Sequence, residues 1–312
     1  MLKNQHILFI HIPKTAGTSF RVSAQEYYEE NEIFYDYSPH AKETSPSIVE
    51  MIYESKDFYG FYSKVLSPLD KSFLSGHFHS TKYGALYDTL NVVSFVRNPI
   101  EQVISHYNHY KNRHGYTESF SIFIQESRFC NLQSKLLASK PIGMYGLLAI
   151  TEEYDTAILL FNRLYNTKLE SQYINRKSKD ALHSSELEDE IITLIERLNS
   201  KDMIFYKKVQ AQFEVRKELY AKGLDFTYGF IQKATMHEIS GIAFQKDNKN
   251  AIEIDIYAGE VYLATVEAKN LRAGQKDVPR KGYIGFDYVY DGEYEAHEKL
   301  SAFNRVTKQE IL

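Results

Sequence analysis

The chain has 312 residues, of which 43% are hydrophobic and 25% are charged, the usual balance of a soluble globular protein. Its formal net charge of -4 excludes a global positive field that would attract nucleic acid or an acidic membrane surface. The single cysteine, Cys130, excludes an intrachain disulfide and is expected to be a small buried apolar residue. No long apolar stretch predicts a signal peptide or a membrane span. We therefore expect a cytoplasmic protein that binds no nucleic acid.

The N-terminal half predicts the opening of an α/β nucleotide-binding fold. A continuous apolar run predicts a buried strand, a loop of small residues follows it, and a helical stretch comes next. A second buried strand ends at Arg97, and Pro99 stands where the next helix can begin. Residues 33–70 are expected to be irregular. The predicted elements are strands at 7–12 and 91–96 and helices at 20–28, 100–113, 120–127, 131–139, 157–165 and 186–221, the last with a break near Asn199 and Ser200.

The C-terminal part predicts a small antiparallel β module. Residues 251–257 alternate apolar and polar side chains, a Gly259-Glu260 turn follows, and 261–266 and 283–290 have strand character. We expect an α/β domain over residues 1–229, which carries the motifs described below, and a β-rich accessory domain over 230–312. The predicted fold class is α/β, a P-loop-like parallel sheet flanked by helices with a C-terminal β-sandwich-like module.

The loop at residues 11–19, with the sequence HIPKTAGTS, is suited to hold a phosphate. Its small residues allow close approach of the backbone, its hydroxyls add donors, and the helix N-terminus that follows favours anions. It is not a Walker A loop, because Lys14 precedes Gly17 and the earlier glycine of that motif is missing. An ordinary strand-to-helix turn with a solvated lysine is the alternative. The residues expected to contact a donor are Lys14, Thr15, Ala16, Gly17, Thr18 and Ser19.

This loop resembles the 5′-phosphosulfate loop of the carbohydrate sulfotransferases, with the closest likeness to the heparan sulfate 2-O-sulfotransferase branch and its bacterial relatives. The family form usually has glycine where Ala16 stands. Residues 93–99 with 105–107 resemble the family's 3′-phosphate segment, and the resemblance implies that Arg97 and Ser105 bind the 3′-phosphate. An arginine at the end of a strand can form two parallel hydrogen bonds to a phosphate. The implied co-substrate is 3′-phosphoadenosine 5′-phosphosulfate (PAPS).

Two histidines that lie two residues apart are candidates for the base. A neutral imidazole accepts a proton near pH 7, as attack by an acceptor hydroxyl requires. The resemblance implies that His77, in the Gly76-His77 segment, is the base. In an extended segment His79 would point the same way and could orient the substrate or share the role. No third residue with suitable spacing completes a metal site, so no metal is expected.

These features predict a PAPS-dependent sulfotransferase that acts on a hydroxyl of a saccharide or polysaccharide. His77 takes the proton, and Lys14 stabilises the charge on the departing phosphate. A P-loop kinase-like phosphotransferase and a non-catalytic glycan-binding protein are the alternatives. The sequence names neither the acceptor nor the oligomeric state.

Several later segments resemble the family more loosely, over a likeness that spans about residues 5–220. His106, on the helix that carries Ser105, is expected to be a surface residue, although it could approach the donor. For the looser segments, packing or solvation is the preferred role, although Gln133 and Ser134 could face the substrate cleft. These segments are 131–135, a helix over 146–161 with a structural Glu152, Arg176 with Lys177, and Asp202 with 205–206.

Overall fold

The computed structural model describes residues 5–174, 182–275, 277–290 and 299–312. The chain forms two compact units. The first comprises Met1–Tyr87, Asn91–Lys140 and Leu147–Phe213, and the second comprises Asp88–Leu90, Pro141–Gly146 and Glu214–Leu312. The predicted assignment of a transferase domain and an accessory domain that meet at residue 229 stays a prediction.

A five-stranded parallel sheet forms the centre of the first unit, in the order β2-β3-β1-β4-β5. Residues 7–10 of β1 are fully buried, as expected for a central parallel strand that is covered on both faces. Because all five strands are parallel, their carboxyl ends meet at one edge of the sheet, where ligands bind in open α/β folds. The strands are β1 Gln5–Ile10, β2 Ile33–Asp36, β3 Lys71–Gly76, β4 Val92–Val96 and β5 Leu147–Ile150.

The predicted helices are present, including the break at Asn199 between α8 and α9. None of the helices in the described ranges is both long and apolar enough to cross a membrane. The α-helices are α1 Gly17–Gln25, α2 Pro46–Ile48, α3 Phe58–Phe61, α4 Pro99–Arg113, α5 Phe120–Phe123, α6 Leu132–Leu137, α7 Tyr154–Tyr165, α8 Asp189–Leu198 and α9 Ser200–Ala221. Single turns of 3-10 helix occupy Glu30–Glu32, Thr89–Asn91, Ser127–Phe129, Ile142–Met144, Thr151–Glu153, Ser184–Glu186 and Pro279–Gly282, and π-helical turns occupy Val49–Glu54 and Tyr62–Leu66.

Two strands of the central sheet differ from the sequence expectation. Residues 33–36 were expected to be irregular but form β2, which pairs with β3 at the edge of the sheet. Residues 147–150 were assigned to the start of a helix but form β5, which pairs with β4. Both runs are only four residues long, and a short apolar run does not distinguish a strand from a helix without its partner.

The second unit contains two antiparallel sheets that share one apolar core. Ile239 of β7 and Phe286 of β11 pack in the same cluster as Ile254 of β8 and Ala302 of β12. This confirms the predicted β-sandwich-like module, although β6, β7, β10 and β12 were not among the predicted strands. The sheets are β10-β11-β7-β6 and β12-β8-β9. Their strands are β6 Thr227–Ala234, β7 Glu238–Gln245, β8 Glu253–Ala258, β9 Val261–Glu267, β10 Asn270–Leu271, β11 Tyr283–Val289 and β12 Leu300–Asn304.

Replacing Gly76 tests the close approach of β2 to the end of β3. A Cβ on this glycine would overlap the backbone carbonyl oxygen of Asp36, which cannot swing away as a side chain could. We expect Gly76→Ala to lower the free energy of unfolding by about 1–3 kcal/mol, the usual effect of forcing extra volume into a packed site. Gly84→Ala is the matched control, because a Cβ there meets its neighbours no closer than 3.6 Å. Equal denaturant midpoints for the two variants would contradict the close contact between Gly76 and the Asp36 carbonyl.

Candidate functional site

The loop between β1 and α1 has the backbone form of an anion-binding nest. Lys14 and Ala16 have φ angles of 68° and 62°, whereas Thr15 between them has a negative φ. Alternation of left- and right-handed residues turns successive N–H groups toward one point, where an anion can bind. The Thr15 hydroxyl donates to the Ile12 carbonyl at 3.0 Å, so this side chain holds the turn and does not face a ligand.

The His11 ring packs against Gly17, the first residue of α1. A Cβ on Gly17 would overlap the His11 ring, so only glycine lets the helix begin this close to the imidazole. The His11 ring is buried, and its Nδ1 forms a 2.9 Å hydrogen bond with the Tyr37 hydroxyl. Burial holds the pKa of His11 well below its ordinary value, and the neighbouring His77, Arg21 and Lys14 lower it further. His11 is therefore an uncharged support for the loop at neutral pH.

Lys14 carries a positive charge with no carboxylate beside it in the described part of the chain. Burial lowers the pKa of its ammonium group, and the charges of Arg97 and Arg113 lower it further. A cation in such surroundings gains from the arrival of an anion, because the anion offsets the repulsion from both arginines. The remaining predicted loop residues, Thr18 and Ser19, lie in the first turn of α1.

Arg97 contacts the loop directly from the end of β4. Its Nη1 donates to the Lys14 carbonyl at 3.3 Å, and its Nη2 lies 3.3 Å from the Glu101 carboxylate. The structure therefore brings the two segments that the sequence assigned to the donor into contact. Because Glu101 already neutralises part of the arginine charge, a phosphate at Arg97 would share the guanidinium with this carboxylate.

The backbone of Arg97 is held by a residue whose contribution the sequence did not reveal. Gln133, fully buried on α6, accepts from the Arg97 N–H at 2.9 Å and donates to the Arg97 carbonyl at 2.8 Å. Asp202 in turn accepts from the backbone N–H groups of Gln133 and Ser134 at 3.0 and 2.7 Å. Asp202 thus accepts hydrogen bonds from the N–H groups at the N-terminus of α6, which is the structural role expected of it. Gln133 in turn holds the backbone of Arg97.

Ser105 lies on α4, the helix that follows Arg97. Its side chain makes no hydrogen bond with a described residue and is partly exposed. The same helix reaches the loop through Gln102, whose amide donates to the Pro13 carbonyl at 3.0 Å. The start of α4 is fixed by the Asn98 cap, and the Glu152 carboxylate accepts from the Asn98 N–H at 2.8 Å. Glu152 is structural, as expected.

His77 follows β3 and is joined to the loop by its ring. Its Nδ1 lies 2.6 Å from the carbonyl oxygen of His11. A carbonyl only accepts hydrogen bonds, so Nδ1 carries the proton and the neutral ring presents Nε2 as an unprotonated base. The rings of His77 and His11 have centroids 4.6 Å apart, and Tyr37 packs edge-on against His77 at 4.8 Å. The His11 carbonyl, at the first residue after β1, therefore selects the tautomer of the candidate base.

The surroundings of His77 favour its neutral form. Loss of solvation is the largest cause that lowers the pKa of His77, and the charge of Arg21 adds to it. The hydrogen bond to the His11 carbonyl acts in the opposite direction but is outweighed. At neutral pH this imidazole is unprotonated and can accept a proton.

His79 differs from His77 in both position and tautomer. Its Nδ1 bonds the Thr81 hydroxyl at 2.9 Å and accepts from the Thr81 N–H at 3.4 Å. A ring that accepts at Nδ1 carries its proton on Nε2, so in this state its outer nitrogen is a donor and not a base. The ring is exposed and makes no contact with the loop.

His106 is buried, whereas the sequence indicated a surface position. Its ring packs edge-on against Tyr110, Phe123 and Phe129, and its Nδ1 has no hydrogen-bond partner. Burial first, and then the charge of Lys14, lowers the pKa of His106 to about 3. An amphipathic pattern does not reveal this position, because the aromatic side chains that cover it come from α4, α5 and the turn after it.

Two further expectations concern residues near the site. Arg176 and Lys177 lie outside the described residues. Within the described ranges, no group of three or more His, Cys, Asp or Glu side chains is arranged to hold a metal ion.

Comparison with known proteins gives a weak structural likeness. No family model matches the chain, and no curated protein matches it. Among solved structures, the crystal structure of mouse sulfotransferase SULT7A1 complexed with PAP aligns with a TM-score of 0.35 and 12% sequence identity. The alignment covers 64% of this chain and 66% of that chain. A likeness of this extent carries no argument about family or activity.

Ala16 offers a test of the loop's backbone form. A left-handed alanine is less favourable than glycine by about 1 kcal/mol, because its Cβ crowds the following carbonyl. We expect Ala16→Gly to raise the thermal midpoint. Ala24→Gly, in the last turn of α1, is the matched control and should lower it, because glycine disfavours a regular helix by about 1 kcal/mol. Changes of the same sign in both variants, measured by calorimetry, would contradict the left-handed assignment.

Proposed function

We propose that this chain is a sulfotransferase that moves a sulfuryl group from PAPS to a hydroxyl of a saccharide. The observation that carries the proposal is the convergence of three segments. The Lys14 loop is bonded on one side by the Arg97 guanidinium and on the other by the His77 ring. An anion-binding nest, a second phosphate ligand and a neutral base are the groups that this reaction needs, and each follows a different strand.

The arrangement suits a donor with phosphates at both ends. The nest and Lys14 would hold the 5′-phosphosulfate, and Arg97 with Ser105 would hold the 3′-phosphate. The contact between Arg97 and the Lys14 carbonyl supports this division, because it fixes the two phosphate ligands relative to each other before the donor arrives. The saccharide acceptor is proposed from the resemblance of these segments to the carbohydrate sulfotransferases.

The proposed reaction begins with removal of a proton from the acceptor hydroxyl. His77 Nε2 takes this proton, while Nδ1–H remains bonded to the His11 carbonyl and keeps the ring oriented. The acceptor oxygen attacks sulfur in line and forms the new O–S bond. The bond between sulfur and the bridging oxygen breaks on the opposite side, and adenosine 3′,5′-bisphosphate leaves.

Stabilisation of the leaving group is assigned to the loop. Negative charge grows on the bridging oxygen as the S–O bond breaks, and the Lys14 ammonium with the N–H groups of the nest would offset it. Repulsion from Arg97 and Arg113 makes Lys14 more responsive to this charge than a solvated lysine would be. Positioning and electrostatics therefore supply most of the catalysis, as in phosphoryl transfer.

Transfer of labelled sulfate from PAPS to a panel of polysaccharides tests the proposal. We expect turnover by the wild-type chain and losses of about 100-fold or more in Lys14→Ala and His77→Ala, because each removes a group that acts in the transition state. Lys42→Ala and His40→Ala are the matched controls, because both residues are exposed and neither is proposed to act on the donor or the acceptor. Turnover of ATP with Mg²⁺ in place of PAPS would indicate a phosphotransferase. Glycan binding without affinity for adenosine 3′,5′-bisphosphate would indicate a binding protein.

The pH dependence of kcat/KM tests the base. Because the folded pKa of His77 is lowered, its neutral form persists below the ordinary value of 6.5. Activity should therefore be constant near neutral pH and fall on acidification, with a midpoint below 6.5. His79→Ala should keep this profile. An unchanged acid limb in the residual activity of His77→Ala would reject His77 as the titrating group.

Stability must be followed in the same pH series. Both His11 and His77 have lowered folded pKa values, so the unfolded chain takes up protons first as the pH falls below about 6.5. Their neutral forms stabilise the fold above that pH, and this stability is lost on acidification. A thermal melt at each pH separates loss of the fold from protonation of the base.

A further inference from the structure

A buried carboxylate lies at the end of β2, next to the candidate base. Asp36 is 1% exposed and receives three hydrogen bonds on its two carboxylate oxygens. Tyr53 donates to Oδ1 at 2.6 Å, and Lys82 and Tyr83 donate to Oδ2 at 2.6 and 2.7 Å. The Lys82 ammonium also donates to the Tyr53 hydroxyl at 2.8 Å. Every group in this cluster has a partner, as a buried charge requires.

The backbone of Asp36 contacts the candidate base directly. Its carbonyl oxygen accepts from the His77 N–H at 3.1 Å. The same oxygen leaves no room for a side chain on Gly76, so β2 and the end of β3 lie in close contact. This contact fixes where the chain leaves β3, and with it the Cα position from which the His77 ring extends.

One residue therefore holds both ends of the segment at residues 77–83. Its carbonyl holds the start, at His77, and its carboxylate holds the end, at Lys82 and Tyr83. The middle of the segment has a separate attachment, because the Ser80 N–H donates to the Leu136 carbonyl at 3.0 Å. The seven-residue segment 77–83, which carries both candidate histidines, is thus held at its start, its middle and its end.

The charge of Asp36 keeps the cluster in a single arrangement. Burial raises the pKa of Tyr53 and Tyr83, and the neighbouring carboxylate raises both further, so both hydroxyls stay protonated and donate. The Lys82 ammonium packs over the Tyr53 ring at 4.0 Å, which orients it toward the carboxylate. An uncharged amide at this position would keep the shape of the side chain but lose the acceptor strength for three donors.

We propose that Asp36 is a positioning residue that sets the placement of His77 by holding both ends of the 77–83 segment. The inference rests on the proposed sulfotransferase function and adds a residue that does not touch the donor loop. Its effect is expected on the chemical step and not on donor binding, because Lys14 and Arg97 belong to other segments.

Two variants test this role. Asp36→Asn leaves the partly buried Lys82 ammonium without its counter-ion and is expected to be unstable. The double variant Asp36→Asn/Lys82→Met removes both charges together and should fold, because an apolar side chain of similar volume replaces the ammonium. We expect kcat for sulfate transfer to fall about tenfold or more in the double variant, as small displacements of catalytic groups do. The Kd for adenosine 3′,5′-bisphosphate should stay within about twofold of wild type.

The measurement must distinguish positioning from loss of folded protein. Calorimetric titration with adenosine 3′,5′-bisphosphate counts the competent sites, and kcat is expressed per site. A purely structural role lowers the number of sites but not kcat per site. The control is Asp255→Asn/Lys308→Met, which removes an aspartate–lysine pair in the second unit, where a buried aspartate accepts from a threonine and from a more exposed lysine. This control should keep the wild-type kcat per site.

The outcomes separate this inference from the proposed function. Wild-type kcat per site in the Asp36→Asn/Lys82→Met variant would overturn the role of Asp36 and leave the sulfotransferase proposal standing. A tenfold fall in the Asp255 control as well would also overturn it, because the effect would not depend on the 77–83 segment. No sulfate transfer by the wild-type chain to any acceptor would overturn both.

Discussion

The parallel pairing of β1 with both β3 and β4 is the constraint on which the candidate site depends. Since β1 is flanked by these two strands, the segments that leave their carboxyl ends must approach the loop that leaves its own. His77 follows β3 and bonds the His11 carbonyl, and Arg97 follows β4 and bonds the Lys14 carbonyl. Backbone carbonyls of one loop thus serve as attachment points for side chains on both sides. A shift in the register of either strand would move a base or a cation away from the nest.

The sequence predicted the parts of this arrangement that depend on local pattern. Buried apolar runs predicted the strands β1 and β4, and Pro99 predicted the start of α4. Small residues predicted the loop between β1 and α1. The sequence assigned Arg97 and the loop to the two ends of one donor, but it did not predict that the Arg97 side chain bonds the loop directly. The choice between His77 and His79 was left open by the sequence, because spacing alone cannot reveal tautomers. The hydrogen-bond partners favour His77 as the base, because its Nδ1 meets the carbonyl acceptor of His11 whereas the Nδ1 of His79 meets the N–H donor of Thr81.

The contacts that the sequence did not reveal join residues that lie far apart along the chain. Asp36 lies in a four-residue edge strand with weak periodicity, and its partners are up to 47 residues away. Gln133 bonds Arg97 across 36 positions, and Asp202 bonds Gln133 across 69. Nothing in the local pattern of a polar residue on a short helix indicates that it will hold the backbone of a cation. Such roles depend on which elements the fold brings together, and the local pattern of the sequence does not show that.

The amide of Gln133 gives Arg97 the two hydrogen bonds that a neighbouring strand would supply. It accepts from the N–H and donates to the carbonyl of the same residue, so Arg97 has in effect a one-residue pairing partner just past the last residue of β4. The side-chain chemistry at position 133 is narrowly defined as a result. Glutamate has no N–H for the Arg97 carbonyl, and asparagine is one methylene shorter. The Gln133 amide therefore extends the ordered hydrogen bonding at the carboxyl end of β4 by one residue, to Arg97, which is proposed to bind the 3′-phosphate.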